Sequence, residues 1–532
     1  MSTDSVADIL AGRTTLGIEL GSTRIKAVLI GPDHRPLAVG TAEWENQFVD
    51  RVWTYSLDAI WTGMQQCYSA LLADVQRTYA VELSSVGGLG ISAMMHGYLA
   101  FDADGHLLTP FRTWRNTNTG RAADELSDAF GANIPHRWSV AHLYQAILDD
   151  EQHVARIAHV TTLAGYVHWR LSGRQCLGIG DASGMFPIDS TTGGYDAVML
   201  HEFDRLTADS PLPSKLADLL PLVLVAGQPA GELSPDGALL LDPTGRLSPG
   251  APMCPPEGDA GTGMVATNSV APRTGNVSAG TSIFAMTVLE SPLSRPHREI
   301  DLVVTPAGDP VAMVHCNNGA SELNAWAGLF GEFASAAGVP VDVGTVFEVL
   351  LGSARDGAAD CGGLMAFNYL SGEPITDLEE GRPVFFRAPG SSMDLATFMR
   401  THLYAALATL RMGMDVLQRD EHVRVERMFA HGGLFRTAGV AQTFLSAALD
   451  TPVCVGDAAA EGGAWGAAVL AAFTLHRLRD PASLGEFLDC EVFAHAALTT
   501  VEPQREDVRG FSAFMKRYVQ ALPVERAAVQ YG

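Results

Sequence analysis

Positive charge is scarce in this sequence. The chain has 35 Lys and Arg against 60 Asp and Glu, which gives a formal net charge of −25 at pH 7. A field of this sign repels the phosphates of nucleic acids and of anionic membranes. We therefore expect no nucleic-acid partner and no membrane partner, and any phosphate-binding site has to be local.

Cysteines and long apolar runs are also few. The seven cysteines are scattered and none forms a C-x-x-C pair, which favours a reducing compartment and no zinc site. The longest small-apolar run, at 462–475, has 14 residues, short of the roughly 18 to 20 that span a bilayer. The first residues carry acidic side chains where a signal peptide has basic ones. We expect a cytoplasmic protein.

Several common catalytic motifs are missing. The sequence contains no G-x-x-x-x-G-K-[ST] loop, no H-E-x-x-H pair and no G-x-S-x-G elbow. Two segments, 88–93 and 261–266, fit a loose dinucleotide fingerprint. The first reads as the interior of a strand, and the second has no acidic residue about 20 positions downstream, so neither favours a Rossmann site.

The composition is that of a large α/β protein. Hydrophobic residues make up 47 % of the 532, with 54 glycines and 28 prolines, and this length predicts two or more domains. A helix is predicted at about 57–79, and a Pro/Gly-rich passage at 239–264 is the best boundary. We predict domains at 1–250 and 251–475, and a C-terminal helical segment at 476–532 that packs back on the first domain.

Two similar turns lie about 260 residues apart, each between two apolar strands. A glycine followed by hydroxyl residues lets backbone N–H groups approach a phosphate, and Lys26 or Arg24 adds further donors near the first turn. Either turn alone can be an ordinary hairpin. Their matching contexts suggest a duplicated fold with two facing loops that together hold one polyphosphate. The turn residues are Gly21, Ser22 and Thr23, and Gly280, Thr281 and Ser282.

Asp259 lies between glycines in the segment PPEGDAGTGM, and the next acidic residue after it is Glu290. A turn aspartate commonly caps the backbone. A single carboxylate beside a phosphate loop also suits a general base, which takes the proton from an attacking hydroxyl during phosphoryl transfer.

Four further segments offer groups for ligand binding, and each has a simpler structural explanation. Met95 and His96 end a buried strand, Trp114 begins a polar loop whose aromatic face suits a sugar, and Asp181 stands in a glycine-rich loop. Gly432 and Gly433 turn from a strand into a helix, where a flat base can lie close to the backbone. The structural alternatives are a hydrogen-bonded histidine at 96, a tryptophan at 114 that anchors its loop, a turn cap at Asp181, and an ordinary diglycine turn at 432–433.

Taken in order, these segments resemble the FGGY carbohydrate kinases over essentially the whole chain, most of all the xylulokinase and ribulokinase type. The matching segments are GIELGSTRIKAVLI, MMHG, TWRN, DASGMF, EGDAGTG, GNVSAGTS, YLSGE, GMDVL, HGGLFR and EGGAWGAAVLA. The resemblance implies an α/β fold of two actin-like, ribonuclease H-like domains that flank an ATP and sugar cleft. It also implies the substrates sugar and ATP, the cofactor Mg²⁺ and a possible homodimer.

The resemblance also implies roles for individual residues. Asp259 is the implied catalytic base and, with Glu19, the implied Mg²⁺ site, through water in both cases. The implied sugar site contains Met95, His96, Trp114, Asp181 and Asp259. The implied nucleotide site contains Gly21, Ser22, Thr23, Lys26, Gly280, Thr281, Ser282, Gly432 and Gly433.

Four positions depart from the family pattern. Glu19 stands where an aspartate is usual, Asn116 where an aspartate is usual, His142 where a lysine is common, and Arg24 where a small residue is usual. Because they cluster near the implied sugar and phosphate sites, they bear on the substrate. We expect an ATP-dependent kinase for the terminal hydroxyl of a ketopentose, D-xylulose or L-ribulose. The alternatives are a hexulose or polyol kinase, and an ATP-driven binding or regulatory protein without phosphoryl transfer.

Overall fold

The computed structural model describes residues 3–437, 439–456 and 462–532. Each of its two compact units is assembled from three separate stretches of chain. The first unit comprises 1–270, 302–311 and 460–496, and the second comprises 271–301, 312–459 and 497–532. The chain therefore leaves each unit and returns to it.

The helices, in chain order, are α1 (Thr3–Leu10), α2 (Leu57–Tyr79), α3 (Gly120–Phe130), α4 (Ser139–Leu148), α5 (Leu163–Ser172), α6 (Ile179–Ala182), α7 (Ala197–Leu206), α8 (Leu216–Leu219), α9 (Pro235–Leu241), α10 (Asp259–Ala266), α11 (Ser321–Ala336), α12 (Val343–Ser353), α13 (Leu395–Asp415), α14 (Val440–Leu449), α15 (Gly462–Arg477), α16 (Leu484–Phe487) and α17 (Arg505–Tyr531).

The strands, in chain order, are β1 (Thr15–Leu20), β2 (Arg24–Ile30), β3 (Pro36–Glu43), β4 (Gln47–Val49), β5 (Val52–Thr54), β6 (Gly88–Ala93), β7 (Leu99–Phe101), β8 (His159–Thr161), β9 (Cys176–Gly178), β10 (Ile188–Asp189), β11 (Gly194–Tyr195), β12 (Leu222–Leu224), β13 (Glu257–Gly258), β14 (Thr274–Ala279), β15 (Ile283–Val288), β16 (Asp301–Val304), β17 (Pro310–Cys316), β18 (Leu364–Phe367), β19 (Val384–Arg387), β20 (Arg427–His431), β21 (Val453–Gly456) and β22 (Leu498–Val501).

The first unit is built on a five-stranded sheet in the order β13-β6-β1-β2-β3. β1 pairs with β2 antiparallel and with β6 parallel, and β6 pairs with β13 parallel. Apolar side chains of β1 and β2 lie in the core of the unit. The parallel strands β1, β6 and β13 all end at the same edge of the sheet, and the residues that follow β6 and β13 meet there.

Glycines let helices lie directly on this sheet. A Cβ atom added at Gly17 would stand 2.0 Å from the carbonyl oxygen of Ala464 on α15, and one added at Gly90 would stand 2.2 Å from that of Ala467. Real Cβ atoms do not approach an oxygen this closely, so these positions on β1 and β6 require glycine. They fix α15 against the centre of the first sheet.

The second unit repeats the arrangement of the first. Its sheet has the order β16-β17-β15-β14-β20-β21-β22, in which β14 pairs with β15 antiparallel and with β20 parallel, and β20 pairs with β21 parallel. The five strands β17-β15-β14-β20-β21 match β3-β2-β1-β6-β13 in sheet order. The prediction of a duplicated α/β fold of the ribonuclease H-like type is therefore confirmed.

The predicted helix at 57–79 agrees with α2. The predicted domain ranges and the compact units differ in their membership. Residues 251–270, 302–311 and 460–496 were predicted outside the first domain and lie in the first compact unit, and 497–532 lies in the second. Each predicted range is one continuous stretch of chain, whereas each compact unit combines three separate stretches. As functional divisions, those ranges stay a prediction.

No helix in the described part of the chain is both long enough and apolar enough to cross a membrane.

Candidate active site

The chain turns sharply where β6 ends. His96 has φ of 70° and Gly97 has φ of 95°. A left-handed backbone is costly for any residue but glycine, so the cost of this turn falls on His96. A Cβ atom at Gly97 would stand 2.9 Å from the Phe111 ring. The turn brings the His96 ring onto Trp138, at 6.4 Å between centroids, with its Nδ1 3.2 Å from the carbonyl oxygen of Gly184.

Asp259 is the first residue of α10 and lies against this turn. Its Oδ1 atom accepts hydrogen bonds from the backbone N–H of Met95 at 3.1 Å and from that of Ala260 at 3.0 Å. Burial raises the pKa of Asp259, and the bond from Met95 opposes that shift. The predicted base and the predicted sugar residue Met95 are thus joined directly, although 164 positions separate them.

Asp181 and Glu257 lie beside them; the prediction that Asp181 stands in a loop was wrong, since it lies in the short helix α6. Asp181 is fully buried, and its Oδ2 accepts the Thr162 hydroxyl at 2.6 Å. Burial raises the pKa of Asp181, and the nearby charge of Asp259 adds to the shift. Burial also raises the pKa of Glu257, and Asp181 adds to it. Carboxyl groups in this environment hold protons more readily than in water.

Glu19 lies on β1 directly across from Lys26 on β2. Burial is the largest influence on Glu19 and raises its pKa, and the charge of Asp259 raises it further, while Lys26 lowers it. A Cβ atom at Gly463 would stand 2.3 Å from Glu19 Oε1, so the start of α15 leaves space for the longer side chain that replaces the usual aspartate. Glu19 and Asp259 therefore interact electrostatically.

We call Glu19, Asp181, Glu257 and Asp259 the carboxylate cluster. Three of these residues were predicted, and Glu257 was missed. The signal for Glu257 was available, since it stands two positions before Asp259 in the same segment. Nothing in the local pattern indicated that this strand is only two residues long and buried.

Aromatic residues hold the first glycine turn. Trp44 Nε1 donates to the carbonyl oxygen of Gly21 at 2.7 Å, and the Tyr55 hydroxyl donates to that of Ser22 at 2.5 Å. The predicted Trp114 donates from Nε1 to the Ser22 hydroxyl at 3.3 Å. The polar loop that begins at Trp114 therefore contacts the predicted phosphate turn. Side chains from other parts of the first unit hold this turn in place.

Two of the four departures have structural explanations. The Asn116 amide donates to the carbonyl oxygen of Trp53 at 2.8 Å and its Oδ1 accepts the Trp53 N–H at 2.9 Å, so both ends of the amide are used to hold the loop. A carboxylate could not donate in this way. Arg24 is exposed and lies 3.6 Å from Glu43, its neighbour across β2 and β3, as in an ordinary surface ion pair.

His142 lies within α4 and is completely buried. Its ring stacks on Tyr98 at 6.4 Å between centroids, and neither ring nitrogen has a hydrogen-bond partner among the described residues. Burial lowers the pKa of His142 to about 3. The residue is a neutral part of the core.

The second glycine turn lies in the second unit. The carbonyl oxygens of Gly280 and Thr281 accept the backbone N–H groups of Ala320 and Gly319, each at 2.8 Å. Gly432 has φ of 106°, and a Cβ atom there would stand 2.4 Å from the carbonyl oxygen of Ala279. Gly432 therefore packs against the strand that leads into the Gly280 turn, and the predicted nucleotide residues of this unit are neighbours.

A buried network that the sequence did not predict supports that turn. Asn318 donates to Glu373 Oε2 from its backbone at 3.2 Å and from its side chain at 3.1 Å, and its Oδ1 accepts the backbone N–H of Leu370 at 2.9 Å. Asn318 directly precedes Gly319, which binds the turn. Glu373 belongs to the YLSGE segment of the resemblance.

The structure thus gathers the predicted residues into two groups, one in each unit. The group in the first unit contains Glu19, Gly21, Ser22, Thr23, Lys26, Met95, His96, Trp114, Asp181 and Asp259. The group in the second unit contains Gly280, Thr281, Ser282, Gly432 and Gly433.

Comparison with known families agrees with this geometry. The profile described as "FGGY family of carbohydrate kinases, N-terminal domain" matches residues 14–241, and that of the C-terminal domain matches residues 275–475. The chain belongs to the FGGY family of carbohydrate kinases. The two FGGY matches together cover well over half of the sequence.

Relatives of this FGGY protein are sugar kinases. A xylulose kinase of Haemophilus influenzae is 21% identical over 527 residues, which is 95% of this chain and 99% of the relative. Among solved structures, a xylulose kinase from Rhodospirillum rubrum has a TM-score of 0.77 at 19% identity and covers 96% of this chain and 99% of its own. A gluconate kinase from Lactobacillus acidophilus has a TM-score of 0.77 at 16% identity, covering 96% and 98%.

Proposed function

We propose that the protein transfers the γ-phosphoryl group of ATP to the terminal hydroxyl of a ketopentose, D-xylulose or L-ribulose. Family membership supports a carbohydrate kinase, and the similarity to xylulose kinases over nearly the whole chain supports the pentulose. The observation that carries the proposal is the direct bond between Asp259 and the Met95 backbone, which supports it because the proposed base and the proposed sugar residue are in contact at the end of β6.

In the proposed reaction the sugar hydroxyl loses its proton to Asp259 while its oxygen attacks the γ-phosphorus, and ADP leaves on the opposite side. Asp181, Met95, His96 and Trp114 hold the sugar. The turn at Gly21, Ser22 and Thr23 and the turn at Gly280, Thr281 and Ser282 have the proposed role of binding phosphate. Gly432 and Gly433 receive the adenosine.

The donor set fits Mg²⁺. Oxygen ligands suit this ion, and Glu19 and Asp259 are two carboxylates whose charges influence each other. We propose that these two residues hold the ion, through water. Bound there, Mg²⁺ offsets the negative charge of the phosphates, which an acidic protein needs. Lys26 provides a fixed positive charge opposite Glu19.

Asp259→Asn tests the proposed base. An asparagine keeps its carbonyl oxygen as acceptor for the backbone N–H groups of Met95 and Ala260, so we expect a folded protein that still binds MgATP. Sugar phosphorylation should fall about 10²- to 10⁴-fold, the range for loss of a general base. Near-normal turnover would refute the role of Asp259.

A panel of pentuloses, hexuloses, polyols and gluconate tests the substrate, with sugar-stimulated ADP release as the measurement. We include gluconate because the gluconate kinase matches this fold as well as the xylulose kinase from Rhodospirillum rubrum does. Stimulation by a hexulose or polyol alone would favour a kinase of another sugar. If no compound stimulates ADP release, an ATP-driven binding or regulatory protein becomes the better interpretation.

The cytoplasmic location and the homodimer stay predictions. Analytical ultracentrifugation of the full chain tests the homodimer, and cell fractionation tests the location.

A further inference from the structure

The Glu257 side chain fills a narrow space beside the short helix α6, which carries Asp181. Glu257 is 1 % exposed. Its Oε2 accepts the backbone N–H of Asp181 at 2.9 Å, and its Oε1 accepts that of Gly180 at 3.3 Å. Each carboxylate oxygen thus faces one backbone donor of α6.

Glycines form the walls of this space. A Cβ atom would stand 2.2 Å from Glu257 Oε1 if added at Gly178, and 2.4 Å from Oε2 if added at Gly180. A Cβ atom at Gly261 would stand 3.3 Å from Oε2. Two chain segments far apart in sequence therefore leave room for this carboxylate and for no larger group.

The same strand that carries Glu257 leads into the proposed base. Glu257 lies in β13, two residues before Asp259, and it is aligned with Ser92 of β6. β6 leads in turn to Met95, which binds Asp259. Glu257 therefore connects α6, which carries Asp181, to the two parallel strands that lead to Asp259.

The Asp181 carboxylate gains a defined orientation from these contacts. Its Oδ2 accepts the Thr162 hydroxyl, and its buried Oδ1 has no hydrogen-bond partner among the described residues. A buried oxygen without a partner is costly. In the proposed sugar site, a substrate hydroxyl is the donor that Oδ1 requires.

We propose that Glu257 is a positioning residue for the sugar: it holds the Gly180 and Asp181 backbone so that the Asp181 carboxylate stands beside Asp259. This inference rests on the proposed function, since it concerns the binding of the same sugar. Glu257 itself takes no part in proton or phosphoryl transfer.

Glu257→Gln is the sharpest test, because it keeps the volume of the side chain. Glutamine has one acceptor oxygen, and its NH₂ group would face a backbone N–H that also donates. One of the two hydrogen bonds to the α6 backbone is lost, so we expect the KM for the sugar to rise about 10-fold. The KM for ATP and kcat should each change by less than about 3-fold, since Asp259 and the glycine turns keep their contacts.

Gly261→Ala is a second variant that disturbs the folded protein less. Alanine is a good helix residue in α10, and its methyl group would stand 3.2 Å from the Pro306 ring and 3.3 Å from Glu257 Oε2. We expect a smaller rise in the KM for the sugar, about 3-fold. This variant keeps the inference testable if Glu257→Gln does not fold.

Asp242→Asn is the matched control. Asp242 is also a buried carboxylate of the first unit, and its Oδ2 accepts the backbone N–H groups of Arg246 and Leu247. We expect a lower thermal stability with unchanged KM values for both substrates. The measurements are steady-state kinetics for sugar and ATP, together with thermal unfolding of each variant.

The possible outcomes separate the inference from the proposed function. If the wild type shows no sugar-stimulated ADP release, both fail. If the wild type is active and Glu257→Gln and Gly261→Ala change only the melting temperature, Glu257 is merely structural. A large loss of kcat at unchanged KM in Glu257→Gln would also overturn the inference, because it would place Glu257 in the chemical step.

Discussion

Removing the buried His142 side chain should make the protein less sensitive to acid. The ring is fully buried on Tyr98, and burial lowers the pKa of His142 to about 3, with the Arg112 charge adding to the shift and Glu151 opposing it. In the unfolded chain a histidine has a pKa of about 6.5. Protons therefore bind the unfolded state in preference to the folded state between these two values.

The sign and size of the effect follow from this difference. The contribution of His142 to the free energy of unfolding is fully present above pH 6.5. It is lost as the pH falls toward 3, because only the unfolded state takes up the proton. At pH 5 the unfolded histidine is almost fully charged, and the folded one is neutral. Relative to pH 7.5, His142 alone lowers the free energy of unfolding by about 2 kcal/mol.

The assay is urea unfolding followed by tryptophan fluorescence at pH 7.5 and pH 5.0. Between these two pH values, His142→Leu should lose about 2 kcal/mol less stability than the wild type. The control is His201→Leu on the exposed face of α7, which should keep the pH dependence of the wild type. Equal pH dependence of His142→Leu and the wild type would refute the argument from burial.

Two further substitutions test the backbone of the sites. Gly432→Ala places a methyl group 2.4 Å from the carbonyl oxygen of Ala279 at a φ of 106°, so we expect a loss of about 1 to 3 kcal/mol and weaker nucleotide binding by calorimetry. Unchanged binding would contradict the placement of Gly432 beside the second turn. Asn116→Asp removes the donor to the Trp53 carbonyl and should cost about 1 to 3 kcal/mol in thermal unfolding; a stability equal to the wild type would show that this amide is dispensable.

The glycine turns and the helices could be predicted because their signals are local, and the duplicated fold because the same local signal occurs twice. The turn at Gly21 stands between two apolar strands, and the α2 sequence has helical spacing throughout. Asp259 could be singled out because it lies between glycines. Each of these signals depends on residues that are close in sequence.

The contacts that complete the site could not be predicted in this way. Glu257 binds the Asp181 backbone from 76 positions away, and Asn318 reaches Glu373 across 55. Asn116 departs from the family pattern near the sugar residues, which suggested a role in substrate choice, but its amide holds the backbone of Trp53. The order of strands in each sheet, and the return of the chain to each unit, determine which of these distant residues become hydrogen-bond partners.

The contact of α15 with Gly17 and Gly90 has a consequence for biosynthesis. These glycines lie in strands β1 and β6 near the start of the chain, and the helix that rests on them is made about 450 residues after β1. A ribosome releases the N-terminal residues first, so one face of the first sheet stays uncovered until the residues of α15 have been made. A nascent chain that is truncated before residue 462 therefore exposes apolar sheet surface, which makes it a natural target for chaperones and proteases.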